Sequence, residues 1–549
     1  MNNQDICRRL SSLQSERQVV QETWDSIERY IAPYRGKFFR DERDENSIEW
    51  RRPWVYDATA VMGSQALAAH LHSSLTSSSI RWFDLRFRNA ELMQDNDAVA
   101  WLDQCSEIIY KALNDSNFNV QIGETYQDLV DYGSSVIMEE LVSDTSYKGI
   151  NFKSMPLKEC FFEQDAEGKI LNFYRRFEFT PLQLIDKFGD DVPQRVKEMA
   201  GENSTQQNEK LYVIFCVFRR DANKDVDLTK MVAPLARPYG YKYVLETGGE
   251  TVGKEGGYYE MPSFVPRWRT TSSSMWGNSP SMLALADTMT LNRLIELLIG
   301  ACEKAVDPAW MTTERGLISD LDLNPGGITV VKNIGDLVPL DTRARYDVSY
   351  QEIERYRSNI REYFMIDQLM LPRMEGTPAT ATEINARVAQ LERMIGPTLG
   401  RLQNDLLDPI ISRTFNMLFR ARQLPEMPES VANVATDLDI EYIGPLYRTQ
   451  QAHQVEAFDR WVFQIQTISQ VNPDVLDIPD FDTALREIGY MQGIPAKFMN
   501  SKAKTEEMRN ARQQQMEEQR QAELAEVETK AQKQQSEAVA IQANQASAA

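Results

Sequence analysis

The first candidate for a chemical function is a glycine-rich segment, in which Gly248, Gly253 and Lys254 have the spacing of a phosphate-binding P-loop. Such a loop holds phosphates with backbone N–H groups and a lysine, and it opens onto a helix. Glu255 stands where that motif has the Ser or Thr that binds magnesium, and its carboxylate would repel phosphate. Two glycines and a tyrosine-rich strand follow, instead of a helix N-terminus. We therefore predict a flexible hairpin turn here rather than a nucleotide site.

Histidines and cysteines give little support to a metal site or a disulfide framework. The chain has three histidines, and His70 and His72 are two positions apart, which places them on different faces of a helix. Five cysteines are scattered without a short-spaced pair, which favours a reducing cytoplasm. They are Cys7, Cys105, Cys160, Cys216 and Cys302. We predict no catalytic residue, no metal site and no cofactor.

Length and charge limit the possible classes of protein. With 549 residues, of which 42% are hydrophobic and 26% charged, the chain exceeds one hydrophobic core and should form two to four units. The net charge of -21 argues against a protein that coats DNA by neutralising phosphates, but not against one through which DNA passes. The N-terminal residues lack the basic start and apolar core of a signal peptide, so we expect no export.

A long helical hairpin over residues 276–422 organises the chain. Ser279 as N-cap and Pro280 in the first turn predict a helix that runs to about Val306. An insertion over 308–347, rich in turn signals, contains a predicted strand at 328–331, and a second helix is predicted over 349–365. The first helix is long enough to span a bilayer, but the charges within it argue against a membrane segment.

Periodicity predicts a mixed α+β, helix-rich fold for the rest of the chain. Further helices are predicted over 3–31, 57–71, 95–114, 181–188, 448–471 and 481–491. Strands are predicted over 82–87, 136–142, 151–162, 169–179, 210–219 and 438–443, with a hairpin of 239–246 and 258–265 around the glycine-rich loop. A helix over 379–422 should be kinked at its two internal prolines, and 501–549 should be a solvated helix or a frayed tail.

Short motifs in a fixed order resemble one protein family. In the first long helix they are Gly277, Pro280, Ala284, Asp287, Leu291 and Asn292, with Glu303–Pro308 at its end. In the later helix they are Thr380, Thr382, Glu383, Gly396, Pro397, Arg401, Asp408 and Pro409. Tyr56–Ala60 and Trp82-Phe83 add further similar elements. Together, in this layout, they resemble the head-to-tail connector, or portal, proteins of short-tailed bacteriophages.

This resemblance implies a homo-oligomeric ring, usually dodecameric, at one capsid vertex, with DNA along its axis. It implies a portal fold that divides the chain into functional segments. These are a wing (1–275), a first stem helix (276–306), a clip (307–348), a second stem helix (349–366), a tunnel loop (367–378), a long kinked wing helix (379–424), a crown (425–500) and a C-terminal tail (501–549).

The resemblance also implies the partners. These are the terminase, tail adaptor proteins, the major capsid and scaffolding proteins, and double-stranded DNA that passes without sequence-specific binding; no membrane is involved. The ring would be assembled in the host cytoplasm and reside in the virion. DNA would face the tunnel-loop residues Gln368, Met370, Arg373, Met374 and Glu375. Arg373 could touch phosphate transiently or pair with Glu375 or a neighbouring subunit, and both alternatives stay open.

Two other functions are weighed against this one. A DNA-packaging ATPase should have an intact P-loop and a hydrophobic strand that ends in acidic residues, whereas the P-loop-like segment 248–255 is defective. An acidic coiled-coil scaffold protein disagrees with the long β-rich middle of the chain. We therefore expect a structural conduit and not an enzyme.

Overall fold

A computed structural model gives the fold. It describes residues 1–33, 35, 55–88, 95–143, 147–201, 204–220, 232–271, 274–312, 316–322, 328–333, 335–340, 346–369, 395–428, 431, 438–443, 445–469, 478–491 and 502–546. The chain forms two units. The first comprises Met1–Trp82, Glu107–Leu424 and Gly444–Gln450, and the second comprises Phe83–Ser106, Pro425–Ile443 and Gln451–Ala549.

Helices and strands alternate along the described chain. The helices are α1 (Asn3–Tyr30), α2 (Thr59–Leu75), α3 (Asn96–Asp115), α4 (Phe118–Tyr132), α5 (Pro181–Phe188), α6 (Gln194–Met199), α7 (Pro280–Val306), α8 (Tyr346–Tyr363), α9 (Ile366–Leu369), α10 (described over 395–402), α11 (Asp408–Arg420), α12 (Pro445–Ser469), α13 (Phe481–Met491) and α14 (Lys502–Ala546). The strands are β1 (Phe83–Phe87), β2 (Ile137–Leu141), β3 (Ile150–Ser154), β4 (Cys160–Gln164), β5 (Ile170–Phe179), β6 (Leu211–Arg219), β7 (Tyr239–Leu245), β8 (Thr251–Tyr258), β9 (Ser263–Phe264), β10 (Trp310–Thr312), β11 (Leu337–Pro339) and β12 (Leu438–Tyr442).

The first unit is built around a five-stranded antiparallel sheet in the order β4-β5-β6-β7-β8. Successive residues of a strand point to opposite faces, and here both faces are covered. Ile214 of β6 packs with Leu10 of α1, whereas its neighbour Val213 packs with Leu184 of α5 and Val196 of α6. A second, three-stranded sheet has the order β3-β2-β9. These layers form the body from which the hairpin α7–α8 starts.

Several predicted elements are confirmed, and the misses have physical reasons. Helices α1, α5, α7 and α13 lie within one residue of their predicted bounds. Helix α4 is missing from the prediction, since its aromatic and β-branched residues favour a strand until burial of Ile122 and Tyr126 decides. The predicted strand over 151–162 is two strands, β3 and β4, separated by a 3₁₀ turn at Leu157–Glu159. Helix α6 is also absent from the predicted helices.

The glycine-rich hairpin differs from its predicted bounds. Strand β8 lies within the segment predicted as a loop, and it pairs with β7 from Tyr239–Tyr258 to Val244–Thr251. The ring of Tyr241 covers Gly256, where an added Cβ would lie 2.3 Å from Tyr241 Cζ. This glycine therefore makes room for an aromatic ring within a strand and does not mark a turn. The turn is reduced to residues 246–250.

The segment between α7 and α8 is a small antiparallel pair, β10 with β11. The predicted strand over 328–331 is wrong, because only Val331 makes an isolated bridge, to Leu317. Helix α8 begins three residues before the predicted start, and the predicted loop over 367–378 opens with the end of α9. Residues 370–394 lie outside the described residues.

The second unit contains the pair β1 with β12, from Phe83–Tyr442 to Phe87–Leu438. Trp101 stacks on Phe87, and its indole Nε1 donates to the carbonyl of Pro425 at 3.1 Å. Helices α13 and α14 are joined by two hydrogen bonds from Arg509 to Asp482. The tail, expected as a solvated helix or a frayed end, is helical over Lys502–Ala546. In the described part of the chain, no helix is long and apolar enough to cross a membrane.

Candidate functional site

The P-loop-like segment has the geometry of a surface turn. Lys254 is mostly exposed and lies 3.4 Å from Asp191, from Nζ to a carboxylate oxygen. Partial burial acts to raise the pKa of Glu255, but a hydrogen bond from Arg220 and an ion pair with Lys242 at 2.9 Å outweigh it, and the pKa is lowered. Strand β8 runs through these residues in place of a helix. Within the described residues, no group of His, Cys, Asp and Glu side chains could hold a metal ion.

The hairpin α7–α8 offers a better candidate, and its base begins where two glycines meet. An added Cβ on Gly277 would lie 2.0 Å from the carbonyl oxygen of Gly133, and one on Gly133 would lie 2.3 Å from that of Gly277. The amide of Gly277 donates to Ser134 Oγ at 2.9 Å. Trp276 packs edge-on against Trp24. The backbone therefore enters α7 pressed against the body of the first unit.

The N-cap of α7 links the helix to the body a second time. Ser279 Oγ accepts from the amide of Met282 at 2.9 Å and donates to the carbonyl of Asp131 at 2.9 Å. Pro280 occupies the first turn, where its missing N–H leaves no bond unmade. Both Ser279 and Pro280 are buried. Because one hydroxyl both caps α7 and bonds the body, the direction of the helix is fixed at its start.

A polar cluster, which we call the root cluster, joins α2, α7 and α8 and consists of Asp57, Asn292 and Arg357. Asn292 is buried, and its Oδ1 accepts from the amides of Tyr56 at 2.6 Å and Asp57 at 3.1 Å. Its Nδ2 donates to the carbonyl of Thr288 at 2.8 Å. Arg357 of α8 donates from Nε to Asp57 Oδ2 at 2.9 Å. The side chains of both hairpin helices thus hold the start of α2.

The charge state of Asp57 follows from these bonds. Burial acts to raise the pKa of its carboxyl, but hydrogen bonds from Thr59 and Arg357 outweigh it, and the pKa is lowered. Nearer the base of the hairpin, Asn359 of α8 donates to Asp287 of α7 at 3.3 Å. The base of the hairpin is therefore held by an ionised carboxylate and by amide bonds.

Two comparisons with known proteins agree with this geometry. A family model described as bacteriophage head to tail connecting protein matches residues 3–499. The chain belongs to this family. The chain is 26% identical over 506 residues to the probable portal protein of Bordetella phage BPP-1, covering 90% of this chain and 88% of the relative. It is 25% identical over 502 residues to the portal protein of Salmonella phage epsilon15, covering 89% and 87%.

The structure brings together the predicted signature of the first helix. All four lie at or near the base of the hairpin and make the contacts above: Gly277, Pro280, Asp287 and Asn292. Gln368 lies in α9, which makes it part of a helix and not of a loop. Other predicted residues lie outside the described residues. They are Met370, Arg373, Met374, Glu375, Thr380, Thr382 and Glu383.

The remaining signature residues lie along α10 and α11. They are Gly396, Pro397, Arg401, Asp408 and Pro409. A π-helical turn, Gln403–Leu407, joins the two helices just before Pro409, whose missing N–H removes one bond of the α-helical ladder. Asp405 in this turn binds Arg267 at 3.2 Å. At the kink predicted for Asp408-Pro409, the helix has a π-helical turn.

Sequence reasoning missed a second polar cluster, here called the α11 cluster, which consists of Glu139, Glu260, Arg413, Thr414 and Arg420. Glu139 of β2 is fully buried and accepts from Thr414 Oγ1 at 2.7 Å. Arg413 donates to the carbonyl of Glu260 at 2.8 Å, and Arg420 binds the Glu260 carboxylate with two nitrogens. An acidic residue at an inward position of a strand is the one sequence signal that could have indicated it.

Proposed function

We propose that this chain forms a portal, a closed ring of copies at one capsid vertex through which double-stranded DNA is packaged and later ejected. The observation that carries the proposal is the firmly rooted hairpin α7–α8 with its exposed apolar side chains. Leu283, Leu297 and Val306 of α7 are 61%, 53% and 87% exposed in the single chain. Burial of the exposed part of such side chains against a neighbouring copy is worth about 1–2 kcal/mol each, which favours assembly.

We further propose a division of labour along the chain. Helices α7 and α8 form the stem, and residues 307–348 between them form the clip that docks the terminase and then the tail adaptor. Residues 367–378 face DNA, 1–275 and 379–424 form the wing, and 425–500 form the crown. The ring is dodecameric, contacts the major capsid and scaffolding proteins, and is assembled in the host cytoplasm. The two relatives named as portal proteins support this reading.

The runner-up, a packaging ATPase, is not favoured by any observation in the described residues. The single lysine of the P-loop-like segment pairs with Asp191, and β8 replaces the helix that would hold phosphate. A structural role therefore accounts for the geometry without a catalytic step.

Electron microscopy of the purified chain tests the proposal. We expect closed rings with an axial hole, and we expect Leu297→Asp to weaken ring formation because it places a charge on an apolar contact. Lys254→Ala is the matched control, since that side chain is 84% exposed in a surface turn. Monodisperse single chains at high concentration and at several salt concentrations would contradict a portal. ATP hydrolysis that Lys254→Ala abolishes would support the ATPase instead.

A further inference from the structure

The exposed side of α8 is a continuous polar stripe. From residue 351 onward, its exposed side chains recur at intervals of three and four positions, which places them on one helix face. They are Gln351, Glu354, Arg355, Ser358, Arg361 and Glu362. The opposite face, with Ile353 and Ile360, is buried. We call the exposed face the α8 stripe.

The charges of the α8 stripe cancel in number, and Glu354, Arg355 and Arg361 each have a partner of opposite charge. It carries two carboxylates and two guanidiniums in a chain with a net charge of -21. Arg355 lies 3.4 Å from Glu352, and Arg361 lies 3.5 Å from Glu354. A passing phosphate would have to displace these carboxylates to bind either arginine. Because binding of phosphates depends on free basic side chains, this stripe offers little hold to a polyanion and little repulsion.

The exposed side of α7 has a different character. Three of its large apolar side chains share one side of the helix and are between 40% and 61% exposed in the single chain. They are Leu283, Met289 and Leu297. A surface of this kind gains free energy when it is covered, whereas the α8 stripe gains none. The two helices of one hairpin therefore suit two different neighbours.

We propose that the α8 stripe faces the DNA in the channel and that the apolar side of α7 packs on the neighbouring copy. This inference rests on the proposed function, because it requires a ring in which hairpins stand side by side. It assigns the sliding surface to a self-neutralised stripe, which lets a polyanion move in both directions without strong phosphate contacts. Electrostatic cancellation, and not a generally negative wall, is then the property that keeps DNA mobile.

Cysteine labelling in assembled rings tests the two faces. In a Cys302→Ser background, which removes the exposed thiol, Ser358→Cys reports on the α8 stripe and Leu297→Cys on α7. Assembly should slow maleimide labelling at Leu297→Cys by at least about tenfold and leave Ser358→Cys within about threefold, because labelling follows thiol exposure. Rings with the opposite protection, or with both thiols protected, would overturn this assignment alone. Absence of rings would overturn the portal as well.

A charge change sharpens the same test. Glu352→Gln with Glu354→Gln removes the carboxylates that pair with Arg355 and Arg361 on the α8 stripe, and such rings should retain double-stranded DNA more strongly at low salt than at high salt. Glu296→Gln with Glu303→Gln makes the matched change on α7 and should leave DNA retention unchanged. Equal retention by both double variants in intact rings would contradict the proposal. Higher retention by the α7 variant would reverse it.

Discussion

The root cluster and the α11 cluster both bury a carboxyl group beside an arginine, yet they differ in charge state. At the root, Asp57 accepts hydrogen bonds from Thr59 and Arg357, which outweigh its burial and lower its pKa. In the α11 cluster, burial raises the pKa of Glu139 to about 8, and the nearby charge of Arg413 offsets it only in part. One helix contact thus uses an ionised carboxylate, and the other a protonated carboxyl near neutral pH.

Geometry explains the difference. The side chain of Arg357 is 36% exposed, so water screens the root cluster, whereas Arg413 is 5% exposed and Glu139 fully buried. Among the described residues, Glu139 Oε2 and Arg413 Nε lack a hydrogen-bond partner and lie 3.8 Å apart. A buried carboxylate is stable only with good hydrogen bonds, and this one has a single bond to its side chain, from Thr414. The number of donors, more than the presence of an arginine, sets the charge of a buried carboxyl group.

The largest expected effect separates the two arginines. Arg413→Met should lower the free energy of local opening of α11 by about 2–4 kcal/mol, because the carbonyl oxygens of Glu260 and Glu139 lose their buried hydrogen-bond donor. Arg357→Met should lower that of α8 by only about 1 kcal/mol, since this pair is partly screened. Hydrogen exchange of amides in α11 and α8 measures both quantities.

Each variant serves as the control for the other. Both substitutions remove one guanidinium and keep a long side chain, so that a difference between them reflects burial and not chain length. Losses of equal size at α11 and α8 would show that exposure does not distinguish the two clusters.

The sequence predicts local signals well and long-range pairings poorly. The bounds of α7 follow from local signals. Ser279-Pro280 begins the helix and Asp307-Pro308 ends it. Glycines in β8 carry no such signal, because the ring that covers Gly256 belongs to another strand. Glu139 and Arg413 are 274 positions apart, and no spacing rule could bring them together.

In the site, the signature residues of α7 were predicted from their resemblance to a family, and the structure supplies what they do. Asn292 is the clearest case, since its side chain binds two backbone amides beside Asp57. The partner arginine on α8, Arg357, was not among the predicted residues. Its role depends on α8 packing against α2, which periodicity in α8 alone does not specify.

A smaller effect is the pH dependence, whose sign should differ between the clusters. The stabilisation from Glu139 is complete below the ordinary pKa of 4.5 and is lost as pH rises towards about 8, because only the folded state keeps the proton. That from Asp57 is present above 3.8 and is lost as pH falls through its lower folded pKa. Hydrogen exchange of α11 and α8, corrected for intrinsic rates, should show opposite slopes.

Isosteric variants test these slopes. Glu139→Gln should remove the loss of α11 protection between about pH 5 and 8 and leave α8 unaffected. Asp57→Asn should alter α8 protection and its decline in acid, and leave the α11 slope in place. A slope of α11 that persists in Glu139→Gln would assign the titration to another group.

The smallest effect is expected for an ion pair at the surface, which is more exposed than either cluster. Lys254 is 84% exposed and lies 3.4 Å from Asp191, itself 48% exposed. Lys254→Ala should change the stability of the β7–β8 hairpin by less than about 0.5 kcal/mol, because solvent screens the pair and both side chains remain hydrated. Asp191→Asn is the matched variant and should behave alike. Hydrogen exchange of β8 amides measures the change. A loss above about 1 kcal/mol in either variant would mean that the stability contributed by these ion pairs does not follow the burial of their side chains.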